Sequence, residues 1–396
     1  MIKYQKKINS IIFIIGALYL NYCLMMVFEA KFFEYLSFVI RGILFYKMFF
    51  YVINLRKQFL WIYFLLIIYY LIYGLLKSNF LSFLIMDLLS SFSIIFLFII
   101  NPENRLYITE RLTKMICLLL IISALCSLLY LNKYGFRAAE QIGERIVFEE
   151  EGSNFKIIFQ TLQISIILLP FIWFFDNKRK LILVFAFSLF TIINLVALSR
   201  AYIVAAIISI IFTLFEGFRL KKIRLRYSVL SIIFVITISL FFIINKNKEL
   251  LTISYDLLKY RFELIDDEEE PRDIEAEYYF KDLSNYELIL GKGMGAANLR
   301  PFGKYSERGI MMMHRGENNL IMKGGIVLLI IFYGLAFYSM LKLFLSNDIY
   351  GNIWASVIFI YLILERGHQQ FSSVFMLILI CIAISYAFSL KKNNNG

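Results

Sequence analysis

The sequence predicts an all-α integral membrane protein of about 12 transmembrane helices, with one large extracytoplasmic loop containing short helices. Three observations predict it. Of 396 residues 60% are hydrophobic and only 18% are charged, whereas soluble domains run about 45–50% and about 25%. Apolar runs recur along almost the whole chain, and several exceed the roughly 18 residues that mark a membrane-spanning helix. Lys and Arg concentrate in alternate connections between those runs, as orientation in a membrane requires. A soluble globular enzyme, a disordered chain and a secreted disulfide scaffold are excluded.

Taken in order, the spans are expected at 11–27, 32–53, 59–76, 81–100, 115–131, 157–175, 181–197, 201–215, 228–244, 319–345, 353–364 and 371–390. Helix is the expected form because lipid offers no partner to an exposed backbone N–H or C=O. The first span follows Lys3, Lys6 and Lys7, but no small-residue cleavage pattern comes after it, so it reads as an uncleaved helix and not a leader. Alternate connections hold nineteen Lys and Arg, among them Arg56 and Lys57, Lys178 to Lys180 and five between Arg219 and Arg226. The short connections of the opposite side hold only Lys31, Lys77, Arg200 and Arg366. The formal charge of +12 therefore marks orientation and not nucleic-acid binding, and both termini are expected in the cytoplasm. The chain divides accordingly: 1–244 carries nine spans with an outer loop at 132–155, 245–318 is the large extracytoplasmic loop, and 319–396 carries three spans. Cys23, Cys117, Cys126 and Cys381 fall inside apolar runs without metal-type spacing and read as small buried hydrophobes.

Chemistry is sought where polarity interrupts grease. Arg41 lies mid-way along the second span and Asp87 about two turns into the fourth, and charge at that depth faces other helices or a watery cavity. Arg41 can serve function or be neutralised by Glu34, seven residues earlier; Asp87 reads as structural. Ser199-Arg200 breaks a long apolar stretch, either as an interfacial snorkel or as a grip on an anion. Gly291-Lys292-Gly293-Met294-Gly295 has no closing Gly-Lys-Ser/Thr and no strand before it, so a tight turn that lets backbone approach the membrane is expected instead of a nucleotide loop. His314 closes the loop with Arg315, Glu317, Asn318 and Asn319 around it, which offers a proton acceptor beside a cation. His368, in a short outer turn, reads as solvated surface, and the acidic run at 266–270 as a solvated loop or, alternatively, a weak divalent-metal site.

Three segments together resemble the O-antigen ligase and O-antigen polymerase superfamily of bacterial membrane glycosyltransferases. Leu198-Ser199-Arg200-Ala201 resembles the family's Ser-Arg between two central helices. Arg272, followed nineteen residues later by Gly291-Lys292-Gly293, resembles its Arg–helix–Gly-x-Gly segment. His314, followed eleven residues later by Gly325-Ile326, resembles its His-led entry into the next helix. The likeness covers roughly residues 181–335. It departs from the pattern where the usual His-Asn pair reads His314-Arg315, and no Pro precedes the Gly turn.

The resemblance implies glycan transfer from a polyprenyl-diphosphate donor in the bacterial cytoplasmic (inner) membrane, with no metal and no cofactor. It implies polymerisation of lipid-linked repeat units of O-antigen, capsule or exopolysaccharide, or else ligation of the glycan to lipid A–core. A polytopic transporter or lipid-linked oligosaccharide flippase is the rival from another class. On the transferase reading Arg200 and Arg272 hold the departing diphosphate, Arg41 or Arg315 assists, and His314 is the general base with Glu317 in reserve. The implied partners are the polyprenyl-diphosphate-linked oligosaccharide and membrane lipid, with a chain-length regulator and a flippase.

Overall fold

A computed structural model describes residues 2–28, 31–53, 57–134, 211, 279–281, 283–297, 316–346, 348–364 and 374–390. Among them no strand occurs. The helices are α1 (Ile2–Phe28), α2 (Lys31–Val52), α3 (Lys57–Leu76), α4 (Leu81–Ser91), α5 (Arg105–Tyr134), α6 (Asn285–Leu290), α7 (Gly316–Phe344), α8 (Ile349–Leu364) and α9 (Val374–Ser389). Four stretches of the described residues are long and apolar enough to cross a membrane: Gln5–Met25, Lys31–Val52, Leu81–Phe98 and Glu317–Phe344. Trp61–Leu76 and Leu377–Ser389 are shorter apolar helices. The chain is thus an all-α membrane protein; the expected spans at 157–175, 181–197 and 228–244 lie outside the described residues, as does the span at 201–215 apart from residue 211.

The chain forms two units. In the one built from Ile12–Ile40 and Thr109–Glu268, polar side chains join apolar helices. The Tyr19 hydroxyl and Ser123 Oγ share a buried hydrogen bond of 2.7 Å between α1 and α5. Asn21 Nδ2 donates to the Phe33 carbonyl at 2.8 Å, tying α1 to α2. Away from water each of these groups needs a protein partner.

The other unit comprises Met1–Ile11, Arg41–Ile108 and Glu269–Gly396. Its centre is α9, whose residues from Leu377 to Ala387 are all buried. A helix apolar on every side belongs inside a bundle. It packs against α7, α8 and the segment Phe92–Phe98, while α7 also packs against α6. By contrast α3 presents Trp61, Ile62, Leu65, Ile72 and Leu76 outward, as a surface for lipid.

Two spans depart from simple continuous helix. The fourth tightens after Ser91 into a 3-10 helix over Phe92–Phe98, which is long for that form. Changing from α to 3-10 leaves a carbonyl without its regular donor, and the Tyr63 hydroxyl of α3 supplies one to Ser91 O at 2.9 Å. The tenth span, expected as one helix from 319, begins at Gly316 and is interrupted at Gly325 (φ 68°, ψ −174°). A left-handed residue cannot propagate the α ladder, and only glycine adopts that region without strain.

The Tyr63 bond lies in apolar surroundings, so its loss should register. Tyr63→Phe is expected to lower the unfolding free energy by about 1 kcal/mol, read as a fall in the thermal midpoint of the protein in detergent.

Candidate functional site

The loop's Gly-rich turn docks at the α3–α4 end of the second unit described, and the dock is built from residues upward. Ser284-Asn285-Tyr286-Glu287 is a reciprocal capping box. Glu287 N donates to Ser284 Oγ at 3.3 Å and Ser284 N donates to Glu287 Oε2 at 3.1 Å. It starts the single-turn helix α6, which delivers the chain to Gly291 (φ 76°).

From there each N–H finds an acceptor on a different partner. Lys292 N donates to Met322 O at 2.9 Å and Gly293 N to Lys323 O at 3.0 Å. Met294 N donates to Tyr70 O of α3 at 3.1 Å. Gly295 N donates to Asp87 Oδ2 of α4 at 2.8 Å. Met322 O and Lys323 O are available because the break at Gly325 displaces their helical donors. The interruption of α7 is thus what lets the turn bind.

Contact this close leaves no room for side chains. A Cβ on Gly74 would meet the Met294 backbone, one on Gly293 the Gly74 backbone, and one on Gly325 the Ile289 carbonyl. The end of α3 completes the dock. Ser78 takes the left-handed position (φ 55°), with Ser78 N donating to Leu75 O at 3.0 Å and Asn79 N to Gly74 O at 3.1 Å. This turn of the Schellman type aims Asn79, whose Nδ2 donates to Lys292 O and Met294 O, each at 2.8 Å.

Beneath the turn Lys323 of α7 ion-pairs with Asp87 Oδ1. The residues are 6% and 5% exposed, so neither charge would be tolerated at that depth alone. Asp87 therefore holds two elements at once, the ammonium with one oxygen and the turn with the other. Lys323 was not apparent as its partner from sequence, yet a signal exists: both charges fall about two turns into their helices. Tyr279, Ala296 and Met322 form an apolar cluster beside the turn, and Lys292 Nζ stands 5.3 Å from the Tyr279 ring centre.

At the surface of the dock Lys77 Nζ and Glu287 Oε1 are 2.9 Å apart. Burial pushes the Glu287 carboxyl up, but the Lys77 ammonium, the two Ser284 donors and the nearby Lys292 charge outweigh it and hold it down to about 2.

The sequence-nominated residues are distributed as follows. Glu317 is half-buried in the first turn of α7, on the same short piece of helix as Lys323. Arg41 lines a small, half-open cleft with Leu44, Phe45, Leu89, Phe92, Ser93 and Phe96. Arg200, Arg272, His314, Arg315 and His368 lie outside the described residues. What the geometry does bring together is two of the three motif segments, Gly291-Lys292-Gly293 and the stretch ending at Gly325. The N–H groups of residues 292–295 all point to protein acceptors, so the turn is a clasp and not a phosphate cradle. Among the described residues no group of three His, Cys, Asp or Glu could hold a metal ion.

Two measurements check this account. Asp87→Asn and Lys323→Met should each destabilise the protein by about 3–5 kcal/mol, while the double variant recovers most of the loss; detergent unfolding curves of the three decide it. Glu287 contributes stability that is complete above the ordinary glutamate value near 4.3 and is lost as the pH falls toward 2. The thermal midpoint of Glu287→Gln should therefore lie slightly below that of the parent between pH 5 and 8, by an amount that added salt reduces.

No family model, no curated protein and no solved structure matches the chain, so its functional reading rests on its own motifs and geometry.

Proposed function

We propose that the protein is a membrane glycosyltransferase that polymerises polyprenyl-diphosphate-linked oligosaccharide repeat units at the outer face of the bacterial cytoplasmic membrane. The observation that carries the reading is the clasp. Two stretches within the resemblance that are some thirty residues apart in sequence, Ile289–Gly293 and Met322–Gly325, meet backbone to backbone. His314 and Arg315 directly precede the helix so clasped, and Arg272 directly precedes the segment that leads into the turn.

The chemistry follows from the residue types. An acceptor sugar hydroxyl attacks the anomeric carbon of the donor, the carbon–oxygen bond to the diphosphate breaks, and a new glycosidic bond forms. His314 takes the hydroxyl proton, with Glu317 the second candidate. Arg200 and Arg272 stabilise the departing diphosphate, with Arg41 or Arg315 assisting, because fixed guanidinium groups match phosphate oxygens in pairs. Single displacement inverts the anomeric configuration.

Purified protein given only the lipid-linked repeat, without nucleotide or membrane gradient, is expected to make a ladder of polymer. Arg200→Ala and Arg272→Ala should each lower the rate about 10²–10³-fold, and His314→Ala about 10²–10⁴-fold, with all three still inserted and folded. Full-length polymer from both arginine variants overturns the diphosphate assignment, and normal turnover by His314→Ala removes the base. Transfer to lipid A–core without lengthening would identify a ligase, and absence of any product would leave transport.

A further inference from the structure

The exposed surface of α3 is of two kinds. Most of it is aliphatic, through Ile62, Leu65, Leu66 and Ile72. One face near its end is not: Tyr69 and Tyr73, one turn apart, hold their rings parallel within 2° at a centroid distance of 6.1 Å. Tyr286 of α6 meets Tyr73 edge-on at 6.4 Å and 65°. Tyr69 is 43% and Tyr286 56% exposed. Lys77 stands beside them, its ammonium 5.7 Å from the Tyr73 ring centre and 2.9 Å from Glu287. Tyr73 is half-buried between these two rings and Lys77, so Tyr69 and Tyr286 carry the exposed aromatic surface of the patch.

An aromatic belt at a membrane surface distributes its rings around a helix to face headgroups. Here three tyrosines converge from two elements that the clasp joins, and they share the patch with an ammonium and a carboxylate. A hydrocarbon chain would strand the Lys77–Glu287 ion pair in lipid. A sugar ring suits both the rings and the pair. Its C–H face packs flat on an exposed aromatic ring, and its hydroxyls donate to Glu287 and accept from Lys77. With one positive and one negative charge already paired, the patch favours a hydroxyl-rich ligand over an anion.

We infer that Tyr69, Tyr73 and Tyr286, with Lys77 and Glu287, form a saccharide-binding platform that receives the acceptor glycan, an assignment that rests on the glycan-transfer reading above. It adds a specificity site to the clasp, on residues to which the resemblance assigns no role.

The test uses the full-length protein in nanodiscs, with lipid-linked repeat units from its own host and with the same oligosaccharide released from its lipid. Tyr286→Ala, Tyr286→Leu and Tyr69→Ala are compared with the parent, after thermal midpoints establish that folding is kept. The two Tyr286 variants are expected to raise the acceptor KM about tenfold with kcat little changed, and to lose saturation transfer from the protein to the released oligosaccharide. Tyr69→Ala should raise KM to a lesser degree. Unchanged KM and unchanged saturation transfer overturn the platform, as does full rescue by Leu, which would mark these side chains as membrane anchors. If the parent binds the released oligosaccharide yet makes no polymer, the platform stands and glycan transfer falls. If the parent polymerises while the variants are indifferent, transfer stands and the platform falls. Neither binding nor polymer overturns both.

Discussion

Four consecutive backbone N–H groups, those of residues 292–295, belong to no helix or sheet of their own and lie where water is scarce. Their need for acceptors organises everything around them. Tyr70 of α3 supplies one carbonyl, the broken start of α7 supplies two, and Asp87 of α4 supplies a carboxylate oxygen. The absence of side chains at Gly74, Gly293 and Gly325 allows the approach, and Asp87 needs Lys323 so that its own charge is tolerated. Elements far apart in sequence are thereby fixed to one another through the backbone, which no surface salt bridge could do as firmly.

Much of the fold was legible, and the reason is the solvent. In lipid the backbone has one economical solution, so apolar runs between basic connections locate α2 to α4 and α7 to α9 with small errors at their ends, while α1 and α5 begin at Ile2 and Arg105, well before their apolar runs. The departures were not legible because tertiary contacts cause them. Phe92–Phe98 has no feature that distinguishes a 3-10 from an α segment; the Tyr63 hydroxyl that supports it comes from another helix. Gly324-Gly325 in an apolar run is equally compatible with tight helix packing, and it breaks because a loop thirty residues earlier requires its carbonyls.

For the site, residue type was readable and partnership was not. Glycine at 291, 293 and 295 announced close backbone approach, but what is approached is a set of helices and not the membrane surface. The Ser284–Glu287 box has the Ser-x-x-Glu spacing of a helix start. Asp87 read as structural, and the structure gives it Lys323 and Gly295 as partners. The tyrosine patch was hidden because Tyr69 and Tyr73 sit within a run of residues equally suited to lipid, and only α6 brings Tyr286 against them.

The interruption at Gly325 also couples positions that the sequence keeps well apart. The clasp sets Ala296 and Met322 in one small cluster with Tyr279, and Lys292 N and Gly293 N bond the carbonyls of Met322 and Lys323. A backbone shift in the turn is therefore passed directly to the start of α7, so that turn and helix entry behave as one stiff joint.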